Sequence, residues 1–389
     1  MDLSESPRDA AFREEVRTWL AENLVGDFAR LAGRGGSGRE HEAFEERVEW
    51  NRHLAASGWT CLGWPEHHGG RGLPLAQQVI FHEEYASAGA PARVNHLGEE
   101  LLGPTLIDHG TRDQQARFLP GIRAVTELWC QGYSEPDAGS DLAGVRTRAR
   151  LEGGEWVIDG QKIWTSLARQ AQWCFVLVRS DPDSRRHAGL SYLLVPMDQP
   201  GVEVRPIVQL TGTSEFNEVY FSGARTEGGL VVGAPGDGWR IAMATLGYER
   251  GVSTIGQQIG FARELAAVES QARANGTADD PVVADRIARA TVGLEVMRAH
   301  ALRTLDSQAG GAEVSVAKLV WSRWHRDLGE LAMAVRGPSA LTTGDHYRLD
   351  DQQAMYLFSR ADTIYGGSDE IQRNIVAERV LGMPKEPRP

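Results

Sequence analysis

Ser134 and Ser166 are short hydroxyl residues set in two segments of strand and turn character. The segments are Tyr133-Ser-Glu-Pro-Asp-Ala-Gly-Ser-Asp141 and Asp159-Gly-Gln-Lys-Ile-Trp-Thr-Ser166. The first turns through Pro136 and Gly139 and presents Ser140; the second carries Trp164. A planar polar ring needs that inventory: short hydroxyls to hydrogen-bond its edge, an indole to cover it, and a turn amide or hydroxyl for a phosphate. A carboxylate is the third candidate. Between Ile241 and Ala262 the only formally charged residues are Glu249 and Arg250. A carboxylate in such a Gly- and Ala-rich stretch is expensive to bury without a task or a partner. The bland alternative is an ion pair with a distant arginine that only holds helices together.

The elements that must position these groups fall into three zones. Residues 8 to about 123 read helical: Phe12, Val16, Trp19 and Leu20 recur at helical spacing, and Phe44, Val48 and Leu54 follow more loosely. Breaks are expected at Gly33–Gly38, Pro65–Gly72, Gly89–Pro91 and Gly103-Pro104. From residue 126 to about 233 the period changes. Trp156–Ile158, Trp173–Val178, Leu190–Val195, Val202–Val204 and Glu218–Phe221 are short strand-like runs divided by Gly, Pro and Asp turns. From Gly238 onward the pattern is helical again, with turns expected at Asn275-Gly276 and Gly310-Gly311.

Composition narrows the class. A chain of 389 residues can bury one large core or several smaller ones, and 41% hydrophobic with 24% charged residues is ordinary for a globular protein. A net charge of −12 argues against general nucleic-acid binding, which needs clustered Lys and Arg. Apolar runs are too short and interrupted for membrane insertion. The first twenty residues are charged throughout, so no secretory signal is expected. Cys61, Cys130 and Cys174 lack metal or disulfide spacing, which makes a reducing cytoplasm the simplest home. No metal site is expected: His67-His68 lacks ligand spacing. His325 reads as a surface or interface histidine, and Trp321 and Trp324 as bundle or interface packing.

The two hydroxyl segments resemble, in order and separation, the flavin segments of the acyl-CoA dehydrogenase family, Thr-Glu-Pro-x-Ala-Gly-Ser-Asp and Gly-x-Lys-x-Trp-Ile-Thr. A third stretch, from Ile364 through Tyr365-Gly-Gly-Ser-Asp-Glu370 to Arg379, resembles the family's Tyr-Glu-Gly-Thr-x-Gln-Ile-Gln-Arg. The resemblance implies an α+β, mainly α fold. A helical N-terminal domain (1–125) and a small central β-barrel or sandwich domain (126–234) would precede a C-terminal four-helix bundle (235–389). It also implies FAD. Ser134 and Ser166 stand where the family places Thr on the isoalloxazine edge, Trp164 would lie over the ring, Ser140 would meet the pyrophosphate, and Tyr133 would contribute mainly backbone. Tyr365 and Ser140 fall on the substrate side. Ser368 is a good helix N-cap, and Asp369 and Glu370 fill the first turn, whose free amides would face the cofactor. Ser368 replaces the family's Thr, and Glu370 replaces its Gln, which removes a donor near an anionic cofactor.

In this family a carboxylate removes the α-proton of an acyl thioester while the β-hydrogen leaves as hydride to flavin N5. The usual base follows the Tyr of the C-terminal segment; here that position is Gly366. A second location, used by isovaleryl- and long-chain-type members, immediately precedes an Arg on the first long helix of the C-terminal domain. Leu246-Gly-Tyr-Glu-Arg-Gly251 matches it, which makes Glu249 the base and Arg250 its orienting neighbour. The backbone N–H of Gly366 can still polarise the thioester carbonyl, and loss of the Glu side chain would free volume beside Tyr365 for bulky acyl chains. Two cofactor segments depart from the family. Arg273 is what remains of an Arg-x-x-Phe-Gly segment that reaches a neighbouring subunit's pyrophosphate, and the adenine segment reads Ala334-Val-Arg-Gly-Pro-Ser-Ala340. Relatives with the Tyr-Gly-Gly-Ser pattern include subunits of α2β2 dehydrogenases acting on steroid-derived CoA thioesters. Homotetramer and α2β2 assembly both stay open, with electron-transferring flavoprotein as the implied acceptor. A carrier-protein thioester, a flavin monooxygenase of the same fold and a non-catalytic subunit are the competing readings.

Overall fold

The computed structural model describes residues 6–184, 186–248, 253–306 and 312–385; Glu249, Arg250 and Gly310-Gly311 lie outside the described residues. The N-terminal helices are α1 (Pro7–Asn23), α2 (Phe44–Ala56), α3 (Leu75–Ser87), α4 (Gly103–His109) and α5 (Arg112–Arg123). Phe12, Val16 and Leu20 of α1 bury one face against Trp50 and Leu54 of α2 and Ile80 and Phe81 of α3, as their helical spacing requires. Gly103-Pro104 is not a break. A π-helical turn, Leu97–Leu102, runs directly into α4. Gly103 is needed for close approach, since a Cβ there would lie 1.9 Å from the Trp64 ring.

Among the described residues eight strands follow: β1 (Trp129–Gly132), β2 (Arg148–Glu152), β3 (Glu155–Ser166), β4 (Trp173–Arg179), β5 (Leu190–Pro196), β6 (Val202–Ile207), β7 (Phe216–Glu227) and β8 (Val231–Val232). They form one sheet in the order β6-β7-β3-β2-β4-β5-β8, with β1 parallel to β4. β2 meets β4 through a single pair, Arg148 and Arg179, so the sheet folds into two layers at that seam. Ala149, Ile158, Val176, Leu193 and Phe221 fill the space between the layers. The opposite face of β4 and β5 packs under helices through Phe175, Leu177, Tyr192 and Leu194. Both faces are covered, which is why these two strands read as unbroken apolar runs rather than alternating ones.

The C-terminal helices are α6 (Gly238–Tyr248), α7 (Ser253–Ala274), α8 (Pro281–Asp306), α9 (Ala312–Arg336), α10 (Asp351–Phe358) and α11 (Asp369–Ile375). Leu265, Val268 and Ala272 of α7 meet Leu328, Leu331 and Val335 of α9 and Met355 of α10, with Ile287 and Leu294 of α8 at the margin. Gly276, in the left-handed region at φ 77°, makes the turn after α7. Among the described residues no helix is long and apolar enough to cross a membrane.

The N-terminal helices meet the sheet at an aromatic cluster. Phe118 of α5 stands edge-on to Trp129 of β1 and Trp173 of β4, at 5.3 and 5.0 Å between centroids, while the two indoles stack at 5.6 Å. Phe118→Ala is expected to cost about 3–5 kcal/mol, read as a lower urea midpoint with a changed near-ultraviolet signal from the indole pair.

Candidate active site

The two hydroxyl segments are joined by a buried ion pair. Lys162 of β3 is fully buried; its Nζ donates to Glu135 Oε1 at 2.8 Å, Tyr133 O at 3.0 Å and Leu177 O at 2.7 Å. Glu135 also accepts the amides of Arg146 at 2.6 Å and Thr147 at 2.9 Å. Burial alone would raise the Glu135 pKa, but the Lys162 charge and these donors outweigh it and hold the carboxyl below its ordinary range. Burial draws the Lys162 ammonium down, with Glu135 opposing. The Ile163 amide completes the seam by donating to Ser134 O at 2.9 Å.

Past this anchor β3 becomes irregular. Its register with β7 shifts between Lys162 and Thr165, and Trp164 there adopts φ 62°. A left-handed tryptophan at a bulge is strained, and bulges re-aim side chains. Trp164 is 55% exposed, its edge contact to Phe216 being 6.1 Å. Ser134 and Ser166 are half-buried, and Ser140 is exposed. None of the three hydroxyls hydrogen-bonds another described residue. Thr165 Oγ1 is buried without a partner among the described residues. An exposed indole beside uncommitted hydroxyls fits the edge of a planar polar ring. The Tyr133 ring lies in the core against Phe175 and Tyr192, and its carbonyl faces Lys162.

The C-terminal segment is held by a second polar cluster. Gly366 and Gly367 have φ 62° and 89°. Gln372 of α11 donates to Gly366 O at 3.1 Å and Gly367 O at 3.4 Å. The Gly366 N–H donates to no other described residue. The Tyr365 hydroxyl donates to Asp362 Oδ1 at 2.6 Å; Asp362 Oδ2 meets His325 Nδ1 at 2.5 Å, and His325 Nε2 meets Glu264 at 2.9 Å. His325 is therefore buried between two carboxylates of its own chain, which overturns the surface half of the surface-or-interface expectation. Burial by itself would push this imidazole down, but hydrogen bonds to Asp362 and Glu264 raise its pKa to about 9.

Lys318 of α9 was not singled out in the sequence. It is buried, its Nζ donates to Asp362 O, and its ammonium lies 4.0 Å from the Trp321 ring and 4.6 Å from the Tyr365 ring. A Cβ on Gly366 would meet Lys318 Cε at 3.8 Å and Nζ at 3.9 Å. The room expected beside Tyr365 is thus bounded by an ammonium. A signal existed: the chain has only three lysines, Lys162, Lys318 and Lys385, among 41 Lys and Arg residues. Where arginine is so strongly preferred, a lysine in an apolar run marks a place for a compact cation.

Ser368 does cap α11, accepting from Ile371 N at 3.4 Å. The first-turn amides are less available than expected, since Asp369 N is bonded to Thr363 O. The Asp369 side chain turns inward to Arg323 at 2.9 Å, whereas Glu370 is exposed near Arg373. Arg273 sits in the last turn of α7, paired with Glu269 at 3.2 Å. On the other side, α6 is pinned one turn before its end. Thr245 Oγ1 contacts Thr105 Oγ1 of α4 at 2.8 Å and donates to the Tyr192 hydroxyl of β5 at 3.4 Å. Tyr248 donates to Asp108.

The chain matches three sequence models: acyl-CoA dehydrogenase N-terminal domain over residues 6–125, middle domain over 130–224 and C-terminal domain over 236–381. It belongs to the acyl-CoA dehydrogenase family. It is 65% identical over 377 residues to acyl-CoA dehydrogenase IpdE1 of Mycobacterium tuberculosis, covering 96% of this chain and 98% of that one. It superimposes on the Tcur3481-Tcur3483 steroid ACAD with a TM-score of 0.84 at 31% identity, over 99% of this chain and 100% of that one. The ChsE4-ChsE5 complex from Mycobacterium tuberculosis gives 0.83 at 29% identity, over 99% and 100%. Members of the family are flavoproteins, and the α+β architecture of two helical domains around a sheet domain is the family fold.

Two expectations follow. Lys162→Met should cost ~3–5 kcal/mol, because it strands a buried carboxylate, and Lys162→Met with Glu135→Leu should recover most of that in thermal melts. His325 has a folded pKa raised from 6.5 to about 9. Its stabilisation is complete below pH ~6.5 and lost as pH rises through ~9. The melting temperature should fall across that interval in the native chain, and His325→Gln should remove that component.

Proposed function

We propose that this family member is an FAD-dependent acyl-CoA dehydrogenase that forms an α,β double bond in a bulky, steroid-derived acyl thioester. The observation that carries the chemistry is Gly366: a side-chain-free residue at the family's usual base position, with an N–H that no described residue uses. Such a donor suits the thioester carbonyl, where negative charge develops as the α-proton leaves. Glu249, on the sequence grounds given above, takes that proton, with Arg250 orienting it. FAD, when bound, supplies the hydride acceptor. Ser134 and Ser166 would hold its ring edge, Trp164 would cover the ring, Ser140 would meet the pyrophosphate, and Ser368 and Glu370 would border it. Tyr365 lines the substrate side. The substrate class rests on likeness to IpdE1 and to a steroid ACAD.

An α2β2 assembly is favoured over a homotetramer by one structural feature and one relative. Arg273, the remnant of the segment that reaches a neighbour's pyrophosphate, is engaged by Glu269 of its own helix. The ChsE4-ChsE5 structure is a complex of two named components. A partner would then complete the distal half of the cofactor site. The domain boundaries follow as 1–125, 126–234 and 235–389. Electron-transferring flavoprotein is the proposed acceptor and the cytoplasm the proposed location.

The test is anaerobic. A ring-bearing acyl-CoA should bleach the purified flavoprotein, and straight-chain acyl-CoAs should do so far more slowly. Glu249→Gln should lower turnover about 10³-fold with flavin content unchanged. Near-native turnover in that variant would remove Glu249 as the base. Bleaching by NAD(P)H alone would instead assign a monooxygenase.

A further inference from the structure

The Gly366 turn is built against a buried cation, and nothing in the proposed reaction has yet used it. Lys318 lies on α9, and its ammonium contacts the Asp362 carbonyl and the Tyr365 ring of the segment it faces and the Trp321 ring of its own helix. Ammonium–ring contacts strengthen when the cation is desolvated, and this side chain is 7% exposed. The Nζ lies 3.9 Å from where a Cβ on Gly366 would be.

We propose that Lys318 is a positioning residue for the thioester carbonyl, holding the Tyr365-Gly366 peptide in place and setting a fixed positive charge beside the oxygen on which enolate charge develops. This rests on the reading that the Gly366 N–H binds that oxygen. Two physical consequences separate it from a purely structural lysine. A positive charge within a few ångströms in a partly dry site stabilises the enolate more than the neutral thioester, so it lowers the α-proton pKa of a bound thioester. It does so without contributing to the affinity for the neutral substrate, so its loss falls on kcat rather than on KM.

The experiment uses the flavin-loaded protein in its native assembly and a 3-thiaacyl-CoA. This thioester loses its α-proton but has no β-hydride to give, and its enolate beside oxidised flavin produces a long-wavelength absorption band. Titrating that band with pH reads the bound α-proton directly. Lys318→Gln removes the charge and keeps a donor for the Asp362 carbonyl; Lys318→Met removes both. In Lys318→Gln the midpoint should rise by about one pH unit, tenfold less enolate at a given pH, with a melting temperature and flavin content near native. Turnover should fall about tenfold or more with KM nearly unchanged. Lys318→Arg, which keeps the charge, should hold the native midpoint. An unchanged midpoint in Lys318→Gln overturns the proposal while leaving the dehydrogenase reading intact. If Lys318→Gln loses flavin, Lys318→Arg decides: a midpoint shifted as far as that of flavin-retaining Lys318→Met overturns it. No band at any pH in the native protein overturns the dehydrogenase reading, and this proposal with it.

Discussion

A single buried ion pair, Lys162 with Glu135, determines how the two hydroxyl segments of the candidate site meet. Each partner comes from a different segment, one from a turn and one from a strand. An ammonium in that environment costs several kcal/mol to desolvate unless its protons are placed. The fold places them on one carboxylate and two carbonyls, and the carboxylate in turn takes two backbone amides. Once those bonds are made, the turn is fixed against β3 and β4. Ser134 is then carried to the same edge as the end of β3. The register slip that follows Lys162 throws Trp164 outward in a backbone conformation that tryptophan rarely adopts. The strain is local and the anchor behind it is strong, which is how such a conformation persists.

The C-terminal half uses the same principle with different groups. Asp362 is the hub, and its two oxygens and its carbonyl are each engaged, so the residues that follow have little freedom. Between the halves runs the loop from Gly35 to Ala43. Glu40 N and His41 bind Glu215, next to the Phe216 that meets Trp164, while Gly38 lies against Phe358, which neighbours Tyr365. Arg47, fully buried, ties that loop down through the Glu40 carboxylate and the carbonyls of Glu40, Glu42 and Ala92. A side chain at Gly35 would collide with its guanidinium, so the glycine is a packing requirement as well as a turn.

Much of this was legible. The apolar periodicity of α1 and the unbroken runs of β4 and β5 are direct images of which faces are covered. β2 was missed because it shows the interior only Ala149 among charged neighbours, which leaves no alternation to read. The helix across Gly103-Pro104 was missed because a glycine there serves contact with Trp64, a tertiary fact. The motifs proposed Ser134, Trp164 and Ser166 for the ring edge; the bulge at Trp164 and the uncommitted hydroxyls are features that no sequence pattern showed. The surface reading of His325 failed because its two carboxylate partners lie far away in the chain, on α7 and in the segment before Tyr365. Lys318 was overlooked for a different reason. The isolated-charge logic applied to Glu249 fits it only over the shorter stretch between Glu313 and Arg323, and no family motif drew attention to it.

The glycine at 366 has a structural cost and benefit of its own. A residue with a Cβ at φ 62° carries a penalty of about 1 kcal/mol or more, and glycine carries none. With Glu249 as the proposed base, the turn would be relieved of holding a side chain in a reactive pose and would have only to aim one N–H. That is a backbone task, and backbone is what the surrounding groups fix: Gln372 grips the carbonyls of Gly366 and Gly367, and Lys318 braces the preceding peptide through Asp362 and the Tyr365 ring. In the reaction proposed above, proton removal and carbonyl polarisation fall to separate elements. Each can then be positioned by its own contacts, the turn by α9 and α11, and the end of α6 by Thr245 and Tyr248. Such a division suits a large acyl group, because widening the pocket on one wall need not disturb the geometry held by the other.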